Sequence, residues 1–300
     1  MLDIDAIQLN FDPGSLLALN IILGIVMFGV AIDMRLSDFR TIISLPRSML
    51  VGMTGQFLLL PAVTYLLVRL MAPHPSIALG MMLVAACPGG NISNFITHFA
   101  KGNTALSVAM SATSTMAAVV MTPINFAFWA SQYEPTAAIL KEVALSPLDL
   151  MGTVFLLLGL PMTVGLLISH HFPQWAERAK KPLRYFSMAF FGIFITGALL
   201  ANLDNFMNYI GLVVLAVFLH NALAISIGYT GARLLKLPEA DRRAVAIETG
   251  IQNSGLGLLL IFDFFSGLGG MALIAAWWGI WHIISGMTLA IFWSRRKSTI

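Results

Sequence analysis

The stretch CPGGNISN, residues 87 to 94, interrupts a long apolar run with Pro88, Gly89 and Gly90, and ETGIQNSGLG, residues 248 to 257, does the same later in the chain. Helix breakers and amides set into oily sequence must be explained by the medium around them. The chain has 300 residues, 58% of them hydrophobic and 10% charged, with a mean hydropathy of +0.85. That composition lies outside the range of soluble globular domains and marks an all-α polytopic membrane protein.

A helix needs about 20 apolar residues to cross the hydrocarbon core. Windows of that size pick out nine transmembrane segments: 15–32, 48–70, 76–99, 104–130, 147–169, 183–203, 207–232, 244–266 and 271–293. The basic residues test the count, because Lys and Arg collect in cytoplasmic loops. Alternate loops hold Arg35, Arg40 and Arg47, then Lys101, then Arg178, Lys180, Lys181 and Arg184, then Arg233, Lys236, Arg242 and Arg243, then Arg295, Arg296 and Lys297, which is 15 of the 17 basic residues. The other side receives Arg69 and Lys141 with Asp3, Asp5, Asp12, Glu134, Glu142, Asp204 and Asp263. A miscounted span would shift every later loop to the wrong side. The N-terminus is therefore expected outside and the C-terminus in the cytoplasm, in a multi-pass plasma-membrane protein. The first fifteen residues contain no Lys or Arg, so the first apolar segment is expected to stay as a span rather than act as a signal peptide. The connection from Asp33 to Arg47 is mildly amphipathic and is expected along the inner interface.

The sequence pI near 9.2 follows from this sorting of loop charges and calls for no nucleic-acid partner. A single cysteine, Cys87, excludes an internal disulfide framework, and no spacing suits zinc.

The third segment is apolar only from Ile77 to Cys87, and the eighth from Ala244 to Ile247 before its break over Glu248 to Gly257. The two lie five segments apart and so cross the bilayer in opposite directions. An inverted-topology repeat of five spans predicts this, with two discontinuous helices crossing near the midplane at the substrate and ion sites. Nine spans then mean that the first repeat lacks its leading helix.

Unwound backbone in hydrocarbon costs several kcal/mol for each unpaired group, so two breaks need a reason. Glu248 is the one acidic residue deep inside a span, and an intramembrane carboxylate costs about 2.5 to 3.5 kcal/mol on insertion scales. Hard monovalent cations take carboxylate, amide, hydroxyl and carbonyl oxygens. If the breaks cross, Ser93, Asn94, Ser107, Ser111 and Glu248 can form one cage for Na⁺, Ser107 and Ser111 sharing a helix face at i and i+4. Gln56 and Gln252 with the carbonyls of Thr249 and Ile251 can form a second. Two bound Na⁺ against one carboxylate leave a net charge of about +1, which an anionic substrate would balance, and half-helices starting near Asn91 and Asn253 would aim their positive ends at it. The plainer readings stay open: Ser107, Ser111, Ser114 and Thr115 also suit close helix packing, and His98, His220 and His282 are either packing residues or a proton relay.

The residues resemble the bile acid:sodium symporter family. The matching pieces are GIVMFGVAIDMRLSDF (24–39), GQFLLLP (55–61), CPGGNISN (87–94), KGNTALS (101–107), LHN (219–221), ETGIQNSGL (248–256) and WH (281–282), in order along the chain. The resemblance implies Ser93, Asn94, Ser107, Ser111 and Glu248 as one sodium set and Gln56, Glu248, Thr249, Ile251 and Gln252 as the other, about two Na⁺ as coupling ions, and no organic cofactor. It implies substrate contacts at Asn91, Ile92, Asn253 and His282. It also implies a panel domain (15–47 and 140–205) against which a core domain (48–131 and 206–295) rocks, in a protein that acts as a monomer among membrane lipids. Ser111 stands where bacterial members carry threonine, a change that keeps the hydroxyl, and Ile283 where they carry asparagine, a change that removes a polar substrate-side group, so substrate identity does not transfer and the anion is expected to be bile-acid-like or a smaller carboxylate or sulfonate. The expected function is Na⁺-coupled uptake of an organic anion by alternating access. The alternative is a proton-coupled or uncoupled organic anion transporter on the same scaffold. An intramembrane enzyme is disfavoured, because the chain lacks H-E-x-x-H and G-x-S-x-G, and Glu248 has no second intramembrane carboxylate to form a catalytic dyad.

Overall fold

Proline placement sets where several of the helices begin, because a residue without an N–H costs nothing in a helix's first turn. In the computed structural model, which describes residues 4–6, 13–34, 43–201 and 203–295, the helices are α1 (Pro13–Asp33), α2 (Pro46–Met71), α3 (Pro75–Ala86), α4 (Ile92–Phe99), α5 (Thr104–Ser131), α6 (Glu134–Glu142), α7 (Pro147–His171), α8 (Pro173–Ala201), α9 (Leu203–Leu234), α10 (Glu239–Gly250), α11 (Ser254–Phe265) and α12 (Gly269–Ser294). Helix α2 ends at Ala72 in the left-handed region, φ 43°, with Pro73 following, a residue that cannot continue the helix.

Over their described residues the nine apolar stretches fall in helices, and the third and eighth are each divided, as expected. Five described helices are long and apolar enough to cross a bilayer alone: Pro46–Met71, Thr104–Ser131, Pro147–His171, Met207–Leu234 and Gly269–Ser294. Asn20–Ile32, α3 and α11 are shorter apolar helices, α3 and α11 having 12 residues each.

Both breaks are narrower than composition suggests. Helix α4 already begins at Ile92, so Ser93 and Asn94 sit on its first turn, and α10 runs from Glu239 through Glu248 and Thr249 to Gly250. Only three residues separate α10 from α11. Helix α6 falls in the connection after α5, where no helix was expected. Arg178, Lys180, Lys181 and Arg184 lie on α8, continuous with the sixth apolar stretch. Asp3, Asp12, Arg35, Arg40, Arg296, Lys297 and most of the amphipathic connection fall outside the described residues.

Two wide turns lie just before a proline inside a helix. In α2 the backbone winds as a π-helix over Gly55–Leu59, and in α7 over Phe155–Gly159. Each is followed at once by Leu-Pro, Leu60-Pro61 and Leu160-Pro161. Proline lacks a donor and crowds the carbonyl four residues back. The extra residue of a π turn absorbs that mismatch, and such bulges are frequent at functional sites. Here the turn presents the Gln56 side chain to the interior, where it is 1% exposed.

Helix α1 packs on α7 and α8, while α9 packs on α10, α3 on α12 and α5, and α11 on α12. Close approach depends on small residues. A Cβ at Gly228 of α9 would lie 2.8 Å from the Ala246 Cα of α10, and one at Gly80 of α3 would lie 2.8 Å from the Met271 Cα of α12. Leu17, Leu50, Leu66, Leu70 and Ile193 point outward, which suits contact with hydrocarbon.

Candidate functional site at the crossing of the two broken helices

Backbone unwound in hydrocarbon must find its partners inside the protein, and the two interruptions supply each other. Gly89 and Gln252 face one another in an antiparallel bridge. The Gly90 N–H donates to the Ile251 carbonyl at 2.8 Å, and the Asn253 N–H donates to the Pro88 carbonyl at 2.8 Å. Only glycine permits this approach. A Cβ at Gly90 would lie 3.0 Å from the Gln252 carbonyl oxygen, and one at Gly89 would overlap Glu248 Oε1.

Four carbonyls at or just beyond the ends of α3 and α10 are met by side chains. Thr122 Oγ1 of α5 donates to the Ala86 carbonyl at 2.7 Å, and Gln56 Nε2 of α2 to the Cys87 carbonyl at 2.9 Å. Gln252 Nε2 donates to the Thr249 carbonyl at 2.7 Å, and Asn221 Nδ2 of α9 to the Gly250 carbonyl at 2.7 Å. Sequence reading missed Thr122 altogether and met Asn221 only inside a family motif. A single amide directly after a histidine in an apolar helix was the available signal.

Around Glu248, which is 0% exposed, the oxygens of three helices converge. Ser111 Oγ lies 2.5 Å from Oε1, while Ser93 Oγ and Ser107 Oγ lie 2.6 and 3.0 Å from Oε2. Asn94 Oδ1 accepts from Ser107 at 2.9 Å and from Ser111 at 3.3 Å, and Ser93 Oγ is 3.3 Å from Ser111 Oγ. With Glu248 ionised, three hydroxyl protons serve these six oxygen–oxygen contacts, so at least three of the six set lone pairs against lone pairs. A cation among those oxygens turns that repulsion into attraction. The donors are all oxygen, and among the described residues no three His, Cys, Asp or Glu side chains converge, so the set suits a hard cation rather than a transition metal.

Ser114 and Thr115 behave differently: both hydroxyls donate to the Ser111 carbonyl of their own helix, at 3.1 and 2.7 Å. That is the packing arrangement, and it separates them from Ser107 and Ser111.

The second expected set is closed upon itself. Gln56 Nε2 donates to Gln252 Oε1 at 2.7 Å and Gln252 Nε2 to Gln56 Oε1 at 3.2 Å. With the bonds to Cys87 and Thr249, all four amide protons of the pair are engaged. Gln56, Thr249 and Gln252 are thus together, whereas the Ile251 carbonyl is tied to Gly90 and the Glu248 carboxylate is directed to the serine set.

Asn91 precedes α4 and is exposed; Ile92 is half-buried. Asn253 is 9% exposed, and its Oδ1 caps α11 by accepting from the Leu256 N–H at 3.1 Å. His282 of α12 is 6% exposed, one turn before Gly286, whose Cβ position abuts Ile251 and Ile96. Of the other histidines, His98 is exposed, and His220 Nε2 lies 2.6 Å from Thr64 Oγ1 with its ring against Trp278 at 4.7 Å, a packing arrangement.

The profile of the Sodium Bile acid symporter family matches residues 20–209. The uncharacterized sodium-dependent transporter YocS of Bacillus subtilis is 33% identical over 93% of this chain and 83% of its own length. The probable sodium/metabolite cotransporter BASS1, chloroplastic, of Arabidopsis thaliana is 31% identical over 91% of the chain and 66% of its own length. The human ileal sodium/bile acid cotransporter is 28% identical over 79% and 67%. The chain belongs to the sodium bile acid symporter family, a family of transporters and not of enzymes.

Proposed function

We propose that this sodium-dependent transporter is a secondary active symporter, which couples inward Na⁺ movement to uptake of an organic anion by alternating access. The observation that carries the reading is the surplus of acceptors around Glu248: one buried carboxylate, three hydroxyls and an amide oxygen, with fewer protons than contacts. Ser93, Asn94, Ser107, Ser111 and Glu248 hold one Na⁺. Gln56, Glu248, Thr249, Ile251 and Gln252 hold the second once their closed pairing rearranges. Two cations over one carboxylate leave about one positive charge in a medium that penalises it, and an organic anion removes that penalty. It meets the chain at Asn91, Ile92, Asn253 and His282, where α4 and α11 begin and their N-terminal dipoles favour negative charge.

The chain spans the plasma membrane nine times with its N-terminus outside. Helices α1, α7 and α8 form the panel, and α2 to α5 with α9 to α12 the core that moves against it. The names of the plant and human relatives, a metabolite cotransporter and a bile acid cotransporter, bracket the substrate class. Ile283, in place of a polar neighbour to His282, favours a smaller carboxylate or sulfonate over a bile acid.

Reconstituted protein tests this directly. Uptake of labelled carboxylates, sulfonates and steroid conjugates into proteoliposomes should require an inward Na⁺ gradient. Uptake that persists with K⁺ in place of Na⁺ and follows a pH gradient would establish the proton-coupled alternative instead.

A further inference from the structure

Helices α5 and α10 both carry members of the serine–carboxylate set, and they begin side by side. Near their first residues a second polar cluster joins them. Asp241, in the first turn of α10 and 4% exposed, accepts from Asn103 Nδ2 at 2.8 Å through Oδ1 and from Ser48 Oγ of α2 at 2.6 Å through Oδ2. Asn103 is the N-cap of α5, its Oδ1 accepting from the Leu106 N–H at 3.1 Å. The Asn103 N–H donates to the Ala240 carbonyl at 2.9 Å, so the contact is two bonds wide. At Gly102 a Cβ would lie 3.3 Å from that same carbonyl oxygen.

The spacing links this cluster to the site. From Asp241 to Glu248 is seven residues, two turns on one face of α10; from Asn103 to Ser107 and Ser111 is one turn and two turns on one face of α5. At about 1.5 Å of rise per residue, Glu248 stands about 10 Å above Asp241. Two parallel helices pinned at their starting residues can slide or rotate little at that height. The Ser111 Oγ to Glu248 Oε1 distance of 2.5 Å requires that they do neither.

We propose that Asp241 is a positioning residue for the cation site: paired with Asn103, it sets the register of α10 against α5 so that Glu248 meets Ser107 and Ser111. The inference rests on the reading of the Glu248 set as a Na⁺ site. A buried carboxylate that merely held the fold would account for the same hydrogen bonds, so the test must separate Na⁺ affinity from stability.

The whole purified chain is titrated with NaCl at constant ionic strength made up with KCl, and the half-saturation is read from thermal unfolding. Asn103→Asp should weaken Na⁺ about tenfold, the equivalent of about 1.4 kcal/mol, because carboxylate then faces carboxylate, whereas Asp241→Asn keeps an amide oxygen for Asn103 Nδ2 and should weaken it less. The double exchange Asp241→Asn with Asn103→Asp restores a donor–acceptor pair. The carboxylate it places at position 103 keeps an oxygen for the Leu106 N–H, and the Na⁺ half-saturation should return to within a few-fold of the starting protein. An Asn103→Asp chain that loses stability in K⁺ but keeps the original half-saturation would overturn the proposal, as would a double exchange no better than that single. If a single variant does not fold, the double exchange alone decides, since it keeps a donor–acceptor pair at the contact. Glu248→Gln run beside them separates the two levels. If it retains the Na⁺ response, the cation-site reading fails and the positioning role with it. If it loses the response while Asn103→Asp keeps the original half-saturation, only the positioning role fails.

Discussion

Replacing Glu248 by glutamine removes one charge and almost no volume. In the present structure the carboxylate accepts from Ser111 at one oxygen and from Ser93 and Ser107 at the other. An amide with its NH₂ toward Ser111 donates to that hydroxyl, which then turns to Asn94 Oδ1, 3.3 Å away, while the amide oxygen keeps Ser93 and Ser107. The neutral side chain is thus satisfied, and a buried charge that costs several kcal/mol when unpaired is gone. In K⁺ the variant should unfold at or above the temperature of the starting protein. In Na⁺ the sign reverses. A unit charge acting at about 4 Å through an effective dielectric near 20 contributes about 4 kcal/mol, on the order of a thousandfold in affinity. At a Na⁺ concentration a hundredfold above Kd, binding stabilises the starting protein by about 2.7 kcal/mol; after a thousandfold loss, less than about 0.1 kcal/mol remains. Thermal unfolding in matched NaCl and KCl reads both terms. A Glu248→Gln protein that still gains stability in Na⁺ as the starting protein does would refute the assignment of the carboxylate as the cation's principal partner.

Gly89→Ala drives a methyl into Glu248 Oε1 at the crossing; it should cost about 1 to 3 kcal/mol and abolish Na⁺-dependent uptake, whereas Gly152→Ala, with nothing within 4 Å of its Cβ, should leave uptake intact. Uptake by the Gly89→Ala chain at the normal rate would show that the bridge tolerates a side chain. Ser111→Thr keeps the hydroxyl that reaches Glu248, so the Na⁺ half-saturation in a thermal-shift titration should move less than about threefold, under about 0.7 kcal/mol; complete loss of the Na⁺ response would contradict the geometry of the serine set. Asn221→Leu leaves the Gly250 carbonyl without its 2.7 Å partner and should lower unfolding free energy by about 1 to 3 kcal/mol, measured by denaturant unfolding in K⁺; an unchanged midpoint would mean that the carbonyl finds another donor.

The crossing was legible because its signals are local. Pro88, Gly89 and Gly90 in succession strongly disfavour a continuous helix, and a lone glutamate with amides beside it in apolar sequence has few bland explanations. Its extent was not legible: Glu248 and Thr249 look as polar as Gln252 and Asn253, yet they stay helical. Composition cannot say which amides will pair with Pro88 and Gly90 from more than 150 residues away. The carbonyl caps were hidden for a related reason. Thr122 and Asn221 are single polar residues in long apolar helices, indistinguishable in sequence from packing residues such as Thr115. Asp241, Asn103 and Ser48 resembled solvated loop and helix-start residues, because burial at a helix start is decided by which other helix starts beside it. The π turns in α2 and α7 could have been suspected from the Leu-Pro pairs at 60–61 and 160–161, but Pro123 and Pro182 sit inside α5 and α8 without a π segment, so proline alone does not predict the outcome.

The bonds around the crossing limit where motion can occur in the proposed transport cycle. Opening the Gly90–Ile251 and Pro88–Asn253 pairs would orphan four backbone groups in hydrocarbon at several kcal/mol each. Pulling α2, α5 or α9 away would strip the caps supplied by Gln56, Thr122 and Asn221. In the proposed cycle the broken helices and their three neighbours are therefore expected to move as one body, with Asp241 and its partners fastening the same body at the start of α10. Access can change only at surfaces without such obligations. The α1 face is one: it meets α11 through apolar packing around Leu23, Val26 and Met27 and a partly exposed bond from Asn20 Nδ2 to Asp263 at 3.2 Å. That bond can exchange with water at little cost. Within this scheme cation binding leaves the backbone bridge of the crossing in place and rearranges only the Gln56–Gln252 pairing. It neutralises Glu248, so that a body carrying one buried charge and its bound anion can slide past an apolar panel that an uncompensated carboxylate could pass only at a cost of several kcal/mol.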